Sequence, residues 1–149
     1  MSRAAEPGAA AALIVAEAMS WIGTPYRHQG RTKGVGCDCL GLLLGVWSAI
    51  YGGLPEQPGT YSPDWAEAAG AERFLEAARR HCREKQPAEM TPGDLLLFRW
   101  KRGLPAKHAG ILMSPDRFVH AYQGASVVAS ALVPQWRQRV GGVFSFPDP

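Results

Sequence analysis

Two cysteines flank an aspartate in the stretch GCDCLG (residues 36–41), and an apolar run, LLLGVW, follows at once. Thiols so placed could serve as half of a metal site, as a redox pair, or as one nucleophile beside an unused neighbour. The metal reading fits poorly. Cys37-x-Cys39 lacks the wider spacing of zinc sites, and no second close pair of cysteines or histidines follows it. His81 and Cys82 are adjacent, but adjacent helical residues point about 100° apart. A redox C-x-x-C motif is absent as well. The nucleophile reading has a physical basis. A cysteine in the first turn of a helix meets unpaired backbone N–H groups and the positive end of the macrodipole, and both favour the reactive thiolate. Cys39 has that position if a helix begins near Asp38, whereas Cys37 falls in the preceding loop. Asp38 can cap the helix or reach outward to a substrate amine, and Gly41 keeps the backbone beside the thiol accessible. A cysteine before an apolar helix is also ordinary packing, so a catalytic role needs partners.

A nucleophilic thiol requires a base, and the base an orienting group. Of the four histidines, two lie in HAGILMSPDRFVHAY (108–122), which reads as a hairpin. A three-residue turn at Ser114-Pro115-Asp116 pairs Met113 with Arg117, Leu112 with Phe118, Gly110 with His120 and His108 with Tyr122. One face then carries Ala109, Ile111, Met113, Val119 and Ala121, all apolar, and the other carries both histidines. His108 and His120 become diagonal neighbours, about 7–8 Å apart at their backbones, with Gly110 leaving room for the rings. The spacing makes a histidine pair but does not say which helix faces it.

The elements that must hold these residues follow from composition and pattern. At 149 residues, 46% of them hydrophobic and 19% charged, the chain is expected to be one globular domain, 1–149, with a real core. A net charge of +3 is too small to argue for nucleic-acid binding. The basic runs YRHQGRTK (26–33) and RWKR (99–102) read as solvated faces. Three cysteines, an odd count, argue against a disulfide framework. The stretch GAAAALIVAEAMS (8–20) carries an A-x-A pattern, but Glu6 and Pro7 precede it, so it reads as a first helix and not a secretory signal. No run approaches the length of a membrane span.

Helix one is expected from Gly8 to Ile22, stopping at Gly23. Helix two is expected from Asp38 to Ile50, ending at Gly52-Gly53, and its apolar residues make it the central buried helix. A third helix, capped at Ser62 with Pro63 in its first turn, should run through Ala71 to Glu84. After Pro87, strands are expected at 94–100, 108–113, 117–123, 126–132 and 142–146. Helices followed by strands give an α+β domain, with an antiparallel sheet packed on helix two.

Taken together, WIGTPYRHQGRTKGVGCDCLGLLLGVW, PGDLLLF, KHAGILM and RFVHAY resemble the NlpC-type cell-wall cysteine peptidases, across about residues 13 to 146. That resemblance implies a papain-like fold with the nucleophile at a helix start, in a D-C-[SL]-G-type motif. It implies Cys39 as nucleophile, His108 as general base and later acid, and His120 as the group that orients His108. Tyr26, about a dozen residues before the cysteine, matches a family tyrosine whose hydroxyl lies near the oxyanion. Asp38 matches the acidic residue that in some members contacts the substrate's amine. Leu40 stands where many members have a serine that helps bind a free stem-peptide amine, and Cys37 where many have no thiol.

The resemblance further implies hydrolysis of an amide bond in the peptidoglycan stem peptide, usually that between the γ-carboxyl of D-glutamate and the diamino acid. No metal or cofactor is implied. The short form and the WIGTPYRHQGR opening resemble the branch carried in the tails of phages and gene transfer agents. The expected partners are therefore other tail or baseplate proteins, and the protein, made in the cytoplasm without a signal, would reach the wall with a particle. Two alternatives stand beside this: a structural tail component with a silent site, and a related amidase or acyltransferase.

Overall fold

The computed structural model describes residues 9–57 and 72–149. Helix α1 (Ala9–Ser20) ends in a turn at 21–23, close to its expected span. Strands β1 (Arg31–Thr32) and β2 (Gly36–Cys37) form a small antiparallel ribbon between the first two helices. Helix α2 (Cys39–Tyr51) follows, capped by Asp38 at its start and closed by Gly52 in the left-handed conformation. Helix α3 (Arg73–His81) leads into β3 (Arg83–Lys85). Then come β4 (Leu95–Phe98), β5 (His108–Ser114), β6 (Arg117–Ala121) and β7 (Val127–Ala131). A single-turn helix, α4 (Pro134–Arg137), precedes β8 (Val140–Ser145). Strands β3 to β8 form one six-stranded sheet, in the order β3-β8-β4-β5-β6-β7, antiparallel throughout.

The alternation of the strands divides the core between the two faces of this sheet. Ile111, Val119, Ala121 and Val127 point to one side and pack with Ile14, Ala18 and Trp21 and with Leu42 and Val46 of α2. Farther along that layer, Phe74, Leu75 and Ala78 of α3 meet Leu95, Leu97, Ala109 and Phe144. The opposite side carries Leu96, Phe98, Leu112, Phe118, Leu132 and Val143, covered by Met90, Trp136 and Val140. Helix α2 therefore packs on the sheet as its pattern requires. It sits so close to the segment leading into β1 that a Cβ on Gly41 would lie 1.7 Å from the carbonyl oxygen of Gly30.

Three local expectations are corrected. The third helix stops at His81 and not at Glu84; Arg83 and Glu84, read as its end, instead join Lys85 in pairing with Val143–Ser145 at the sheet edge. Helix propensity in a short charged stretch is a weak force against ladder pairing. The start of that helix, 62–71, lies outside the described residues. The 108–122 hairpin turns over Pro115-Asp116 alone, so Ser114 pairs with Arg117, and the register shifts between Leu112 and Ser114. A bulge at Met113 absorbs the residue that the three-residue turn would have used. The Leu112–Phe118 pairing survives, and with it the face assignment of both histidines. Strand β4 begins at Leu95 because the buried Asp94 is engaged in the preceding turn, where it accepts from the Thr91 N–H (2.8 Å) and from Lys85 Nζ (2.7 Å).

Candidate active site

The helix start that carries Cys39 abuts the start of β5. Cys39 is the first residue of α2, and its thiol approaches the carbonyl oxygen of Lys107, 3.7 Å away and one residue before His108. Tyr26, Asp38, Cys39, Trp100, His108 and Tyr122 are among the residues lining one cavity of about 340 Å³. Residues far apart in the chain, from 26 to 122, thus converge on a single cleft. His120 stands behind His108 and completes the set.

The histidine pair is joined directly. His108 Nε2 lies 2.8 Å from His120 Nδ1, and His120 Nε2 lies 2.8 Å from Ser130 Oγ on β7. With Nε2 so engaged, Nδ1 is the nitrogen of His108 left for the cleft. Gly110 makes the pair possible, since a Cβ there would meet Phe118 at 2.8 Å and the Cβ of His120 at 3.3 Å. Aromatic rings enclose both imidazoles. Trp100 stacks on His108 (5.3 Å between centroids, 26° between planes), Phe118 lies 4.4 Å from His120, and Trp136 contacts both. Burial among these rings lowers the pKa of His108 to about 3, with the neighbouring His120 and Lys107 adding to the effect. Burial alone lowers His120 to about 4. Both rings are neutral at ordinary pH.

Cys39 departs from the expectation drawn from its helix start. Desolvation pushes its thiol up to about 12, the adjacent Asp38 adds to the rise, and hydrogen bonds from the backbone of Ala109 and Leu40 act in the opposite direction. Removing the sulfur from water outweighs those two backbone hydrogen bonds. Burial thus favours the neutral form of both the Cys39 thiol and the His108 imidazole. Tyr26 is also raised to about 12, chiefly by burial and then by Cys39 and Asp38, so its phenol remains an O–H donor.

Asp38 is buried and ties the floor of the cleft together. One carboxylate oxygen accepts from the Gly41 N–H (2.7 Å) and caps α2, and the other accepts from the Gln29 N–H (2.8 Å). Gln29 takes a left-handed backbone conformation, φ +63°, to make this contact. The capping carboxylate therefore also anchors the loop that follows Tyr26.

The remaining thiols are separated from this chemistry. Cys37 is wholly buried with Ile14, Ala18, Trp21 and Leu42. Cys82, expected on the third helix, is half-buried one residue beyond it. All three cysteines are free. Among the described residues, no group of three or more His, Cys, Asp and Glu side chains gathers as a metal site would require, and no helix is long and apolar enough to cross a membrane. Three residues of the site escaped sequence reasoning. Trp100 is hidden in a run that reads as charge, and Trp136 in a one-turn helix too short for periodicity. Ser130 had a faint signal, since it shares the His120 face of the sheet two residues beyond Val128, the partner of His120.

Comparison with known proteins agrees with this architecture. The NlpC/P60 family profile matches residues 23–144. The chain is 31% identical over 148 residues to a Bacillus subtilis (strain 168) protein named gamma-DL-glutamyl hydrolase, covering 97% of this chain and 32% of that one. It is 30% identical over 127 residues to murein DD-endopeptidase MepS/murein LD-carboxypeptidase of Escherichia coli K12, covering 85% of this chain and 57% of the relative. The chain thus spans between a third and three-fifths of these two relatives. The crystal structure of the NlpC/p60 domain of the peptidoglycan hydrolase SagA superposes with a TM-score of 0.62 at 28% identity, covering 91% of this chain and 98% of that domain. The mixed helix and antiparallel-sheet fold is that of the papain-like NlpC/P60 structures.

Proposed function

We propose, from the premise that this chain belongs to the NlpC/P60 family, that it is a cysteine peptidase hydrolysing an amide bond in the peptidoglycan stem peptide. The observation that carries the proposal is the convergence of Cys39 and His108 on one cleft, with His120 hydrogen-bonded behind His108. The names of the relatives, a gamma-DL-glutamyl hydrolase and a murein endopeptidase, support the substrate class and favour the bond between the D-glutamate γ-carboxyl and the diamino acid.

In the proposed reaction, His108 Nδ1 takes the proton from the Cys39 thiol as sulfur attacks the carbonyl carbon. The carbonyl π electrons move onto oxygen, and this oxyanion is held by the Tyr26 hydroxyl and the Cys39 backbone N–H. Collapse of the intermediate expels the amine, which takes the proton from His108. Water, deprotonated by His108, then releases the acyl group from sulfur. His120 orients His108 throughout. Asp38, which caps α2 and holds the Gln29 N–H, is the acidic group beside the nucleophile that in this reading contacts the substrate's amine. Leu40 lines both this cleft and a neighbouring cavity of about 260 Å³ bordered by α2 and α3, and so adds an apolar wall next to Cys39.

We place this single domain, 1–149, in a phage-like tail, among baseplate partners, acting on the wall as a particle penetrates it. The support for that placement is the resemblance of its opening segment to the tail-borne branch. Incubation with purified muropeptides, with products identified by mass spectrometry, tests the activity. The wild type should cleave and Cys39→Ala should not; intact muropeptides, or equal cleavage by the variant, would overturn the assignment. Co-purification with particles tests the placement, and a protein recovered only free of them would refute it.

A further inference from the structure

The geometry points to Ser130 as a positioning residue that supports the working tautomer of His120 and, through it, that of the base. This inference rests on the proposed reading of His108 as base, and it follows from counting protons along the chain of contacts. Ser130 lies on β7, opposite Phe118, which places its hydroxyl on the histidine face of the sheet. Its Oγ is 2.8 Å from His120 Nε2, and His120 Nδ1 is 2.8 Å from His108 Nε2.

A hydrogen bond between two ring nitrogens holds one proton, so the two imidazoles cannot choose tautomers independently. To accept the thiol proton, neutral His108 must keep Nδ1 bare and carry its hydrogen on Nε2. After the transfer, the imidazolium carries hydrogens on both nitrogens. In both states Nε2–H points at His120 Nδ1, which must accept. Neutral His120 then bears its hydrogen on Nε2, and that hydrogen points at Ser130 Oγ. Both working states of His108 thus require the same His120 tautomer, whose Nε2–H finds its acceptor in Ser130 Oγ. The hydroxyl can also donate to a bare Nε2, so the requirement comes from His108 and Ser130 keeps the required donor paired.

The opposite arrangement reverses every donor. With a hydrogen on His120 Nδ1, His108 Nε2 becomes the acceptor and His108 Nδ1 carries its hydrogen toward the thiol. That form of His108 is a donor and cannot deprotonate Cys39. Without the hydroxyl, the working tautomer loses the side-chain acceptor of its Nε2–H in a half-buried position, whereas the idle tautomer leaves only a bare ring nitrogen there. An orphaned N–H is the less tolerated of the two, which shifts the balance toward the idle form. Ser130 touches neither substrate nor sulfur and acts entirely through His120.

The test pairs a spectroscopic readout with kinetics on the full chain. Wild type, Ser130→Ala and Ser130→Thr are labelled with ¹⁵N-histidine, and tautomers are read from long-range ¹H–¹⁵N correlations at neutral pH. His120 should be protonated at Nε2 in the wild type and in Ser130→Thr, and should shift toward the Nδ1–H form in Ser130→Ala. Alanine neighbours Ser130 on both sides in β7, and the position is only half-buried, so the alanine variant is compatible with the strand. On stem-peptide substrate, kcat should fall about ten- to a hundredfold in Ser130→Ala, a part of the usual acid–base contribution, with KM unchanged and recovery in Ser130→Thr. An unchanged tautomer and kcat in Ser130→Ala, or a loss in Ser130→Thr equal to that in Ser130→Ala, would overturn the role. The tautomer measurement needs no turnover. A failure of the peptidase reading would therefore show as absent cleavage alongside an intact spectroscopic result.

Discussion

Cys37 and Cys39 are two positions apart, and burial pushes both thiols up to about 12, yet they differ in what they can reach. Cys37 is sealed in the core beneath Trp21, while Cys39 reaches the cleft. Cys37→Ala should therefore leave cleavage intact and lower stability by roughly 1–2 kcal/mol, as deletion of a small buried group does; chemical denaturation measures this. Cys39 carries a raised pKa beside a base with a lowered one, so the pair is uncharged at rest. Alkylation of Cys39 should quicken steadily with rising pH; a plateau of fast labelling below pH 6 would instead indicate a resting thiolate–imidazolium pair. Asp38→Ala removes the cap and leaves the Gln29 N–H without its acceptor, and should cost about 2 kcal/mol. The melting temperature reports that loss, with Asp38→Asn intermediate. At this scale the sequence was informative about residue types and uninformative about solvation. A helix start is visible in GCDCLG, but the depth at which it lies depends on β5 and the Tyr26 loop, which the local stretch does not encode.

The elements explain why the partners meet. Helix α2 delivers Cys39 to the start of β5, and the β5–β6 hairpin carries both histidines on one face. Alternation in HAGILM and RFVHAY was enough to read that face, because the apolar side must meet the helices. The turn was misread because a bulge and a longer loop consume the same number of residues, and hydrophobic pattern does not distinguish them. The loss of the last helical turn to β3 has a similar cause, since its pairing partner lies some sixty residues away, at about residue 144. Close contacts between elements were also illegible in one dimension. Gly41 touches the Gly30 carbonyl, so Gly41→Ala should cost about 3 kcal/mol or displace the segment leading into β1, which a denaturation curve and a cleavage assay would together reveal.

For the molecule as a whole, the buried histidines predict a distinctive acid sensitivity. His108 and His120 have folded pKa values of about 3 and about 4, below the ordinary value of 6.5. The unfolded chain binds protons at these positions as pH falls through 6.5, and the folded chain does not until much lower. Stability should accordingly decline between pH 6.5 and about 4.5, by up to about 1.4 kcal/mol per pH unit for each histidine. The carboxylates Glu17, Glu56 and Glu72, whose pKa values are lowered from 4.5, keep their stabilisation through that window and lose it only as pH falls beneath it. Melting temperatures of the wild type should fall across it, and those of a His108→Gln, His120→Gln double variant should stay nearly flat. The fold, the family and the cleft together make one claim, that sulfur of Cys39 becomes acylated by a stem peptide. Rapid acid quenching during turnover, followed by peptide mapping, tests it most directly. The peptide containing Cys39 should carry the mass of the acyl fragment transiently, in step with release of the amine product. Product formation with no adduct on Cys39, or an adduct on Cys37 or Cys82, would contradict the account.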